Sequence, residues 1–179
     1  QGSTPLRLLF VGRAEHRKGF DTIMEAAKIL AAEHARGSVP DFRIDLAGVP
    51  GQDLPHGLTE AARRHLVPLG RISDEALARA YEAAHAILAP SRYESFGLVY
   101  QEDIAHGRPM IASDEDASAR EFVGKTGAGR IAARNTREAF AAAIRPSLPR
   151  LALRPTPRPH ALASAGRVHP HIGESDAHR

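Results

Sequence analysis

The stretch that decides the fold reads Pro90-Ser91-Arg92-Tyr93-Glu94-Ser95-Phe96-Gly97-Leu98-Val99-Tyr100-Gln101-Glu102. A short apolar run, Ala86-Ile87-Leu88-Ala89, precedes it, and a segment of helical character follows. A strand, a loop and a helix start in that order bring backbone N–H groups to where they can meet an anion. Gly97 lets the main chain approach a ligand without a Cβ in the way. Glu94 falls in the loop and Glu102 inside the helix. A helix beginning at once would separate them by roughly 12 Å, with directions about 80° apart. One extended ligand can therefore touch both.

Outward from that stretch, short apolar runs alternate with helical patterns. Leu6–Val11, Phe42–Ala47, His65–Leu69, Ala86–Ala89, Met110–Ala112 and Gly129–Ala132 read as strands. Asp21–Glu33 carries Ile23, Ala26, Ala27 and Leu30 on one helical face, with Asp21 or Thr22 as the expected N-cap. Asp74–Ala84, Gly97–His106 and Thr136–Ile144 read as further helices. This alternation predicts an α/β fold, a doubly wound and mostly parallel sheet of about six strands with helices on both faces. Ligands of such sheets bind beyond the carboxyl ends of the strands. The loops after Val11 and after Ala89 both lie there. The first of them carries Gly12, Arg13 and Lys18. Arginine suits bidentate phosphate contact, and lysine offers a compact point charge. Taken alone, the two cations read sooner as solvated loop residues, and Glu102 as a solvent-facing helical glutamate.

The Pro90–Glu102 segment resembles the signature of the family 4 retaining glycosyltransferases (glycosyl transferases group 1), in the carboxy-terminal of their two Rossmann-like domains. Phe10-Val11-Gly12-Arg13 with Arg17-Lys18-Gly19 is similar to the family's first strand and phosphate-binding loop. Leu46-Ala47-Gly48, Leu69-Gly70-Arg71-Ile72-Ser73 and Gly107-Arg108-Pro109-Met110-Ile111-Ala112-Ser113 follow in the family's order. The resemblance extends from Leu6 to Phe140.

The resemblance implies one half of a two-Rossmann-domain fold that binds a nucleoside-diphosphate sugar linked to UDP, GDP or ADP. Arg13 and Lys18, beside Gly12, would offset charge on the departing diphosphate, with Glu94 at the hydroxyls of the transferred sugar. Glu102 would take the ribose hydroxyls, since a carboxylate accepts twice from a vicinal diol. The Ser95, Phe96, Gly97, Leu98 and Val99 backbone would form a second anion site at a helix start, and Arg71 and Ile72 would border the base. No cofactor or metal is implied. Turnover would need an amino-terminal acceptor domain. The alternative is a non-catalytic nucleotide-sugar-binding or interaction module that kept the fold. The resemblance also implies a cytoplasmic location, with peripheral association of the full enzyme at the inner membrane surface.

One loop departs from the family pattern. Where the family has a Gly-Gly pair, this chain reads Asp114-Glu115-Asp116-Ala117-Ser118-Ala119-Arg120-Glu121. It spells Asp-x-Asp, a metal-binding pattern of a different glycosyltransferase fold, but acidic runs are usually solvated loops.

Composition narrows the classes. The 179 residues suit one domain with a sizeable core, and residues 5–144 carry the pattern described above. Zero cysteines exclude a disulfide framework or thiolate metal site. No apolar run approaches the length of about 18 residues that a membrane span needs. The net charge of +3 divides into −1 for residues 1–144 and +4 for residues 145–179, so the basic balance belongs to the tail. Aromatic residues amount to 5%, which denies the folded part a nucleic-acid footprint. The tail holds six of the 13 prolines and four of the ten histidines and has no periodicity, so 145–179 reads as irregular. Residues 1–4 read as a linker or cloning remnant.

Overall fold

Strands Leu6–Val11 (β1), Phe42–Ala47 (β2), Leu66–Gly70 (β3), Ala86–Ala89 (β4), Met110–Ser113 (β5) and Gly129–Ala132 (β6) form one sheet in the order β3-β2-β1-β4-β5-β6. Every pairing is parallel. The computed structural model describes residues 4–94, 98–127, 129–133 and 136–148, without the side chains of Leu98 and Val99. Gln1–Ser3, the Ser95–Gly97 part of the signature and residues 149–179 of the tail lie outside the described residues.

The strands read as mostly apolar runs because both faces of the sheet are covered. Leu8 and Phe10 of β1 enter one core with Ile44 and Leu46 of β2, while Leu9 enters the other with Ile87 of β4 and Met110 of β5. The first core is roofed by helices Phe20–Ala35 (α1), Glu60–Arg63 (α2) and Arg137–Ile144 (α6). The second is closed by Asp74–Ala83 (α3), Leu98–Ala105 (α4) and Ala117–Ala119 (α5), the last running into a π turn at Arg120–Gly124. Pro68 is tolerated in β3 because that strand is an edge. Asp45 is buried on β2 and is held by the guanidinium groups of Arg7 at 2.7 Å and Arg43 at 2.8 Å. A buried carboxylate needs such partners.

Two details differ from the sequence reading. α1 begins at Phe20 with Gly19 as its N-cap, in place of Asp21 or Thr22. Gly19 has φ +72, and a Cβ there would lie 2.0 Å from the Pro90 carbonyl oxygen. The helix starts early because only glycine lets the two loops touch at that point. The four-residue α2, the three-residue α5 and its π turn were not expected, since elements that short carry no period.

The described body continues past residue 144. Arg145 bonds Glu33 of α1 at 2.6 and 2.9 Å, and Leu148 is fully buried in the first core.

Candidate functional site

The strand order reverses between β1 and β4, so the loops that leave their carboxyl ends splay to opposite sides and open a crevice. The β1 loop passes through a 3₁₀ turn at His16–Lys18 and reaches α1 through Gly19. The β4 loop begins at Pro90 and leads to α4. Gly48, at φ +94, packs against the Gly12 carbonyl, where a Cβ would sit 2.6 Å from the oxygen. The Gly12 N–H donates to the Ala47 carbonyl at 2.9 Å. Glycines thus fix the base of the first loop against its neighbours.

Lys18 and Glu94 meet across the crevice, with Nζ 2.6 Å from Oε1. Both side chains are largely buried, at 17% and 11% exposure. The Ser91 hydroxyl donates to the same carboxylate oxygen at 2.8 Å, and the Arg17 guanidinium lies 3.6 Å from the other. Arg17 also donates to the Tyr93 carbonyl at 3.2 Å. Glu94 therefore faces two cations and a hydroxyl.

Arg13 points elsewhere. It is 79% exposed and pairs with Glu15 at 2.7 Å. Arg71 is exposed just after β3, and Ile72 packs partly buried against the second core. Glu102 is exposed on α4. The structure thus joins Lys18 to Glu94 and brings none of Arg13, Arg71 and Glu102, all exposed, into that contact. Ser95, Phe96 and Gly97 lie outside the described residues, and α4 is described from Leu98.

Arg92 organises the site and was missed by sequence reasoning. Its guanidinium grips Asp21 at 2.7 and 2.9 Å and donates to the His16 carbonyl at 2.6 Å. It also lies 3.7 Å from Glu115 in the loop after β5. Burial would raise the Asp21 carboxyl, but the Arg92 hydrogen bonds and charge outweigh it and hold that group below its usual range. One side chain so ties together the loops after β1, β4 and β5. Its partners lie 71 and 76 positions away, and no local pattern signals them.

The acidic loop is partly structural. Asp116 is buried, accepts from the Tyr100 hydroxyl at 2.8 Å and caps α5 through the Ser118 N–H at 3.0 Å. Burial and that carboxylate push the Tyr100 hydroxyl pKa upward. Below it, Asp103 of α4 is buried and accepts from the Tyr81 hydroxyl. Burial raises the Asp103 carboxyl to about 6 against the Tyr81 hydrogen bond, which lowers it.

Residues 2–153 match the family described as glycosyl transferases group 1. The chain belongs to that family. It is 32% identical over 113 residues to an uncharacterized glycosyltransferase of Methanocaldococcus jannaschii, covering 59% of this chain and 26% of that protein. It is 34% identical over 122 residues to a phosphatidyl-myo-inositol mannosyltransferase of Mycobacterium tuberculosis, covering 67% of this chain and 30% of that protein. Among solved structures, the sucrose-phosphate synthase of Thermosynechococcus elongatus superposes with a TM-score of 0.57 at 30% identity, over 84% of this chain and 38% of that one. The chain spans about a third or less of the curated relatives it matches. Fold and family together make it a Rossmann-like domain of the carboxy-terminal type in the glycosyl transferases group 1 family. Among the described residues of this glycosyltransferase domain, no helix is long and apolar enough to cross a membrane.

Proposed function

We propose that this domain binds the nucleoside-diphosphate sugar donor of a retaining glycosyltransferase. The observation that carries the reading is the Lys18–Glu94 contact at the point where the strand order reverses. A cation and a carboxylate held side by side suit a ligand that is anionic at one end and rich in hydroxyls at the other. Cleavage of the glycosidic bond leaves the electron pair on a diphosphate oxygen. Fixed positive groups at that oxygen lower the barrier because the charge grows in the transition state.

Lys18 supplies that charge, with Arg17 beside it and Arg13 able to swing in from solvent. Glu94 accepts from hydroxyls of the transferred sugar, and Glu102 from the ribose diol. The N-terminus of α4 offers N–H groups and its dipole to the diphosphate. The main chain at Arg71 and Ile72 borders the base. Turnover requires a second domain that presents the acceptor. The relatives' names span a lipid mannosyltransferase and a sucrose-phosphate synthase. A shared donor half with varied acceptors fits that spread. We place the work in the cytoplasm, where activated sugars are held.

The second reading, a binding module without turnover, draws on the loop after β5. Its Asp116 is committed to Tyr100 and its Glu115 to Arg92, so the loop is braced by acidic contacts where the family has glycines.

A thermal-shift series with UDP, GDP, ADP and their hexose conjugates, with and without EDTA, tests the donor reading. Binding to the folded state alone raises the melting temperature by mass action. We expect one base to give a shift insensitive to EDTA and lost in Lys18→Ala. No shift with any nucleotide at millimolar concentration would overturn the reading. Donor hydrolysis or transfer by a chain that includes the acceptor domain then separates the enzyme from the binding module.

A further inference from the structure

The opposite end of the sheet holds a second cluster of chemically capable side chains. His34 ends α1, Asp41 immediately precedes β2, and His65 immediately precedes β3. One donor atom from each residue lies within 4.8 Å of the other two. The Asp41 carboxylate is 3.8 Å from His34 Nε2 and 3.7 Å from His65 Nδ1. The three sit beside a cleft of about 530 Å³ at the amino ends of β2 and β3, remote from the crevice between β1 and β4.

Both imidazoles are set in one tautomer by the backbone. His34 Nδ1 lies 3.1 Å from the Val39 carbonyl, and His65 Nδ1 lies 2.6 Å from the Phe42 carbonyl. A carbonyl can only accept, so in each neutral ring Nδ1 carries the proton. The His65 nitrogen nearest Asp41 is that same Nδ1, which must give up the Phe42 carbonyl to ligate there. His34 instead turns the lone pair of Nε2 to Asp41. A ring N–H anchored on a backbone carbonyl is the outer-shell arrangement that orients histidine toward a metal. Packing fixes the His65 ring as well. It stacks on Phe42 at 4.2 Å and 6°, and His34 meets it edge-on at 5.3 Å.

We propose that His34, Asp41 and His65 form a transition-metal site, with zinc the ion its donors suit. Two imidazoles and one carboxylate match the ligands zinc takes at about 2.0–2.2 Å. Nitrogen donors disfavour magnesium and calcium, which prefer all-oxygen shells. Gathering the donors around a metal requires them to close in from separations of up to 4.8 Å. That movement falls mainly on His34 and Asp41, since the His65 ring is held by its stack on Phe42. The cleft leaves a fourth position to water or a small anion. The metal would tie the end of α1 to the starts of two strands, closing a loop from residue 34 to residue 65.

The test is titration of the full chain with Zn²⁺ alone after EDTA treatment, followed by calorimetry and thermal melting, with Co²⁺ absorption as the reporter of coordination. Variants His34→Gln and Asp41→Asn remove partly exposed ligands and spare the His65 stack on Phe42. A third variant replaces His160, His169, His171 and His178 by Asn, because the tail could also take up metal. We expect wild type and the tail variant to bind one ion, gain melting temperature and give a low-symmetry Co²⁺ spectrum. His34→Gln and Asp41→Asn should each weaken that binding at least about tenfold, with melting unchanged when no metal is added. An isotherm unaltered by either substitution, or binding lost only in the tail variant, would overturn the assignment.

Discussion

The Lys18 ammonium sits 2.6 Å from the Glu94 carboxylate, joining two loops 76 positions apart in the chain. The pair is not isolated, since Ser91 and Arg17 also face Glu94. Removing Lys18 therefore leaves the carboxylate with partners, and the fold should lose little. Donor binding should lose more, because a hydrogen bond to a charged group is worth about 1.5–3 kcal/mol. We predict that Lys18→Ala weakens nucleoside-diphosphate binding by about tenfold to a hundredfold in calorimetry. Its melting temperature should stay within a few degrees of wild type. Equal affinity in the variant would remove Lys18 from the diphosphate site.

Gly19 is where the same two loops touch. Its φ of +72 disfavours any other residue, and an added Cβ would collide with the Pro90 backbone. Backbone atoms on both sides cannot yield as a flexible side chain would. Gly19→Ala should destabilise the domain by at least about 2 kcal/mol, from left-handed strain and steric overlap together. At this chain length that lowers the melting temperature by roughly 4 °C or more. Gly37→Ala is the control. It shares the positive φ but meets nothing within 4 Å, so it should cost less. Equal losses at the two positions would show that overlap with Pro90 contributes nothing.

Much of this fold is legible in sequence because its strands are covered on both faces. Leu6–Val11 and Phe42–Ala47 read as apolar runs with the boundaries the structure gives them. The start of α1 was misplaced because Asp21 has cap chemistry, whereas its carboxylate serves Arg92, 71 positions away. The site divides in the same way. Lys18 and Glu94 could be proposed from motif and spacing, but Arg17 and Arg92 act through contacts 76 positions away that no local pattern encodes. His34, Asp41 and His65 are scattered along the chain without ligand spacing, and only the parallel sheet brings them to one edge.

Asp103 gives the domain a pH dependence of definite sign. Its carboxyl is raised by burial from 3.8 to about 6. Between those values the folded state keeps a proton that the unfolded chain has released. Stability therefore falls as pH rises from about 4 to about 6 and then levels, by roughly 3 kcal/mol for this group. Asp103→Asn keeps a polar partner for the Tyr81 hydroxyl and removes the titration. The variant should melt higher than wild type at pH 7, with the gap closing towards pH 4. A constant gap across that range, measured by denaturant titration at each pH, would show that Asp103 does not titrate in it.

Arg145 and Leu148 carry the chain past α6, and they differ in kind. Arg145 makes a bidentate pair with Glu33, and its hydrogen bond is the leading cause that holds the Glu33 carboxyl below its usual range. The Arg145 side chain is 42% exposed, so solvent and salt screen the pair, and Arg145→Ala should cost less than about 1 kcal/mol. Leu148 is fully buried beneath α1 and α6, and Leu148→Ala leaves a cavity as well as losing transfer energy. That should cost about 2–5 kcal/mol. The ratio of the two losses in denaturant melts, at low and at high salt, reports what fastens this segment. Losses of similar size at low salt that diverge at high salt would make the ion pair the anchor. A large, salt-independent loss for Leu148→Ala alone makes it an apolar plug, and the domain then extends through residue 148 because its first core is incomplete without that side chain.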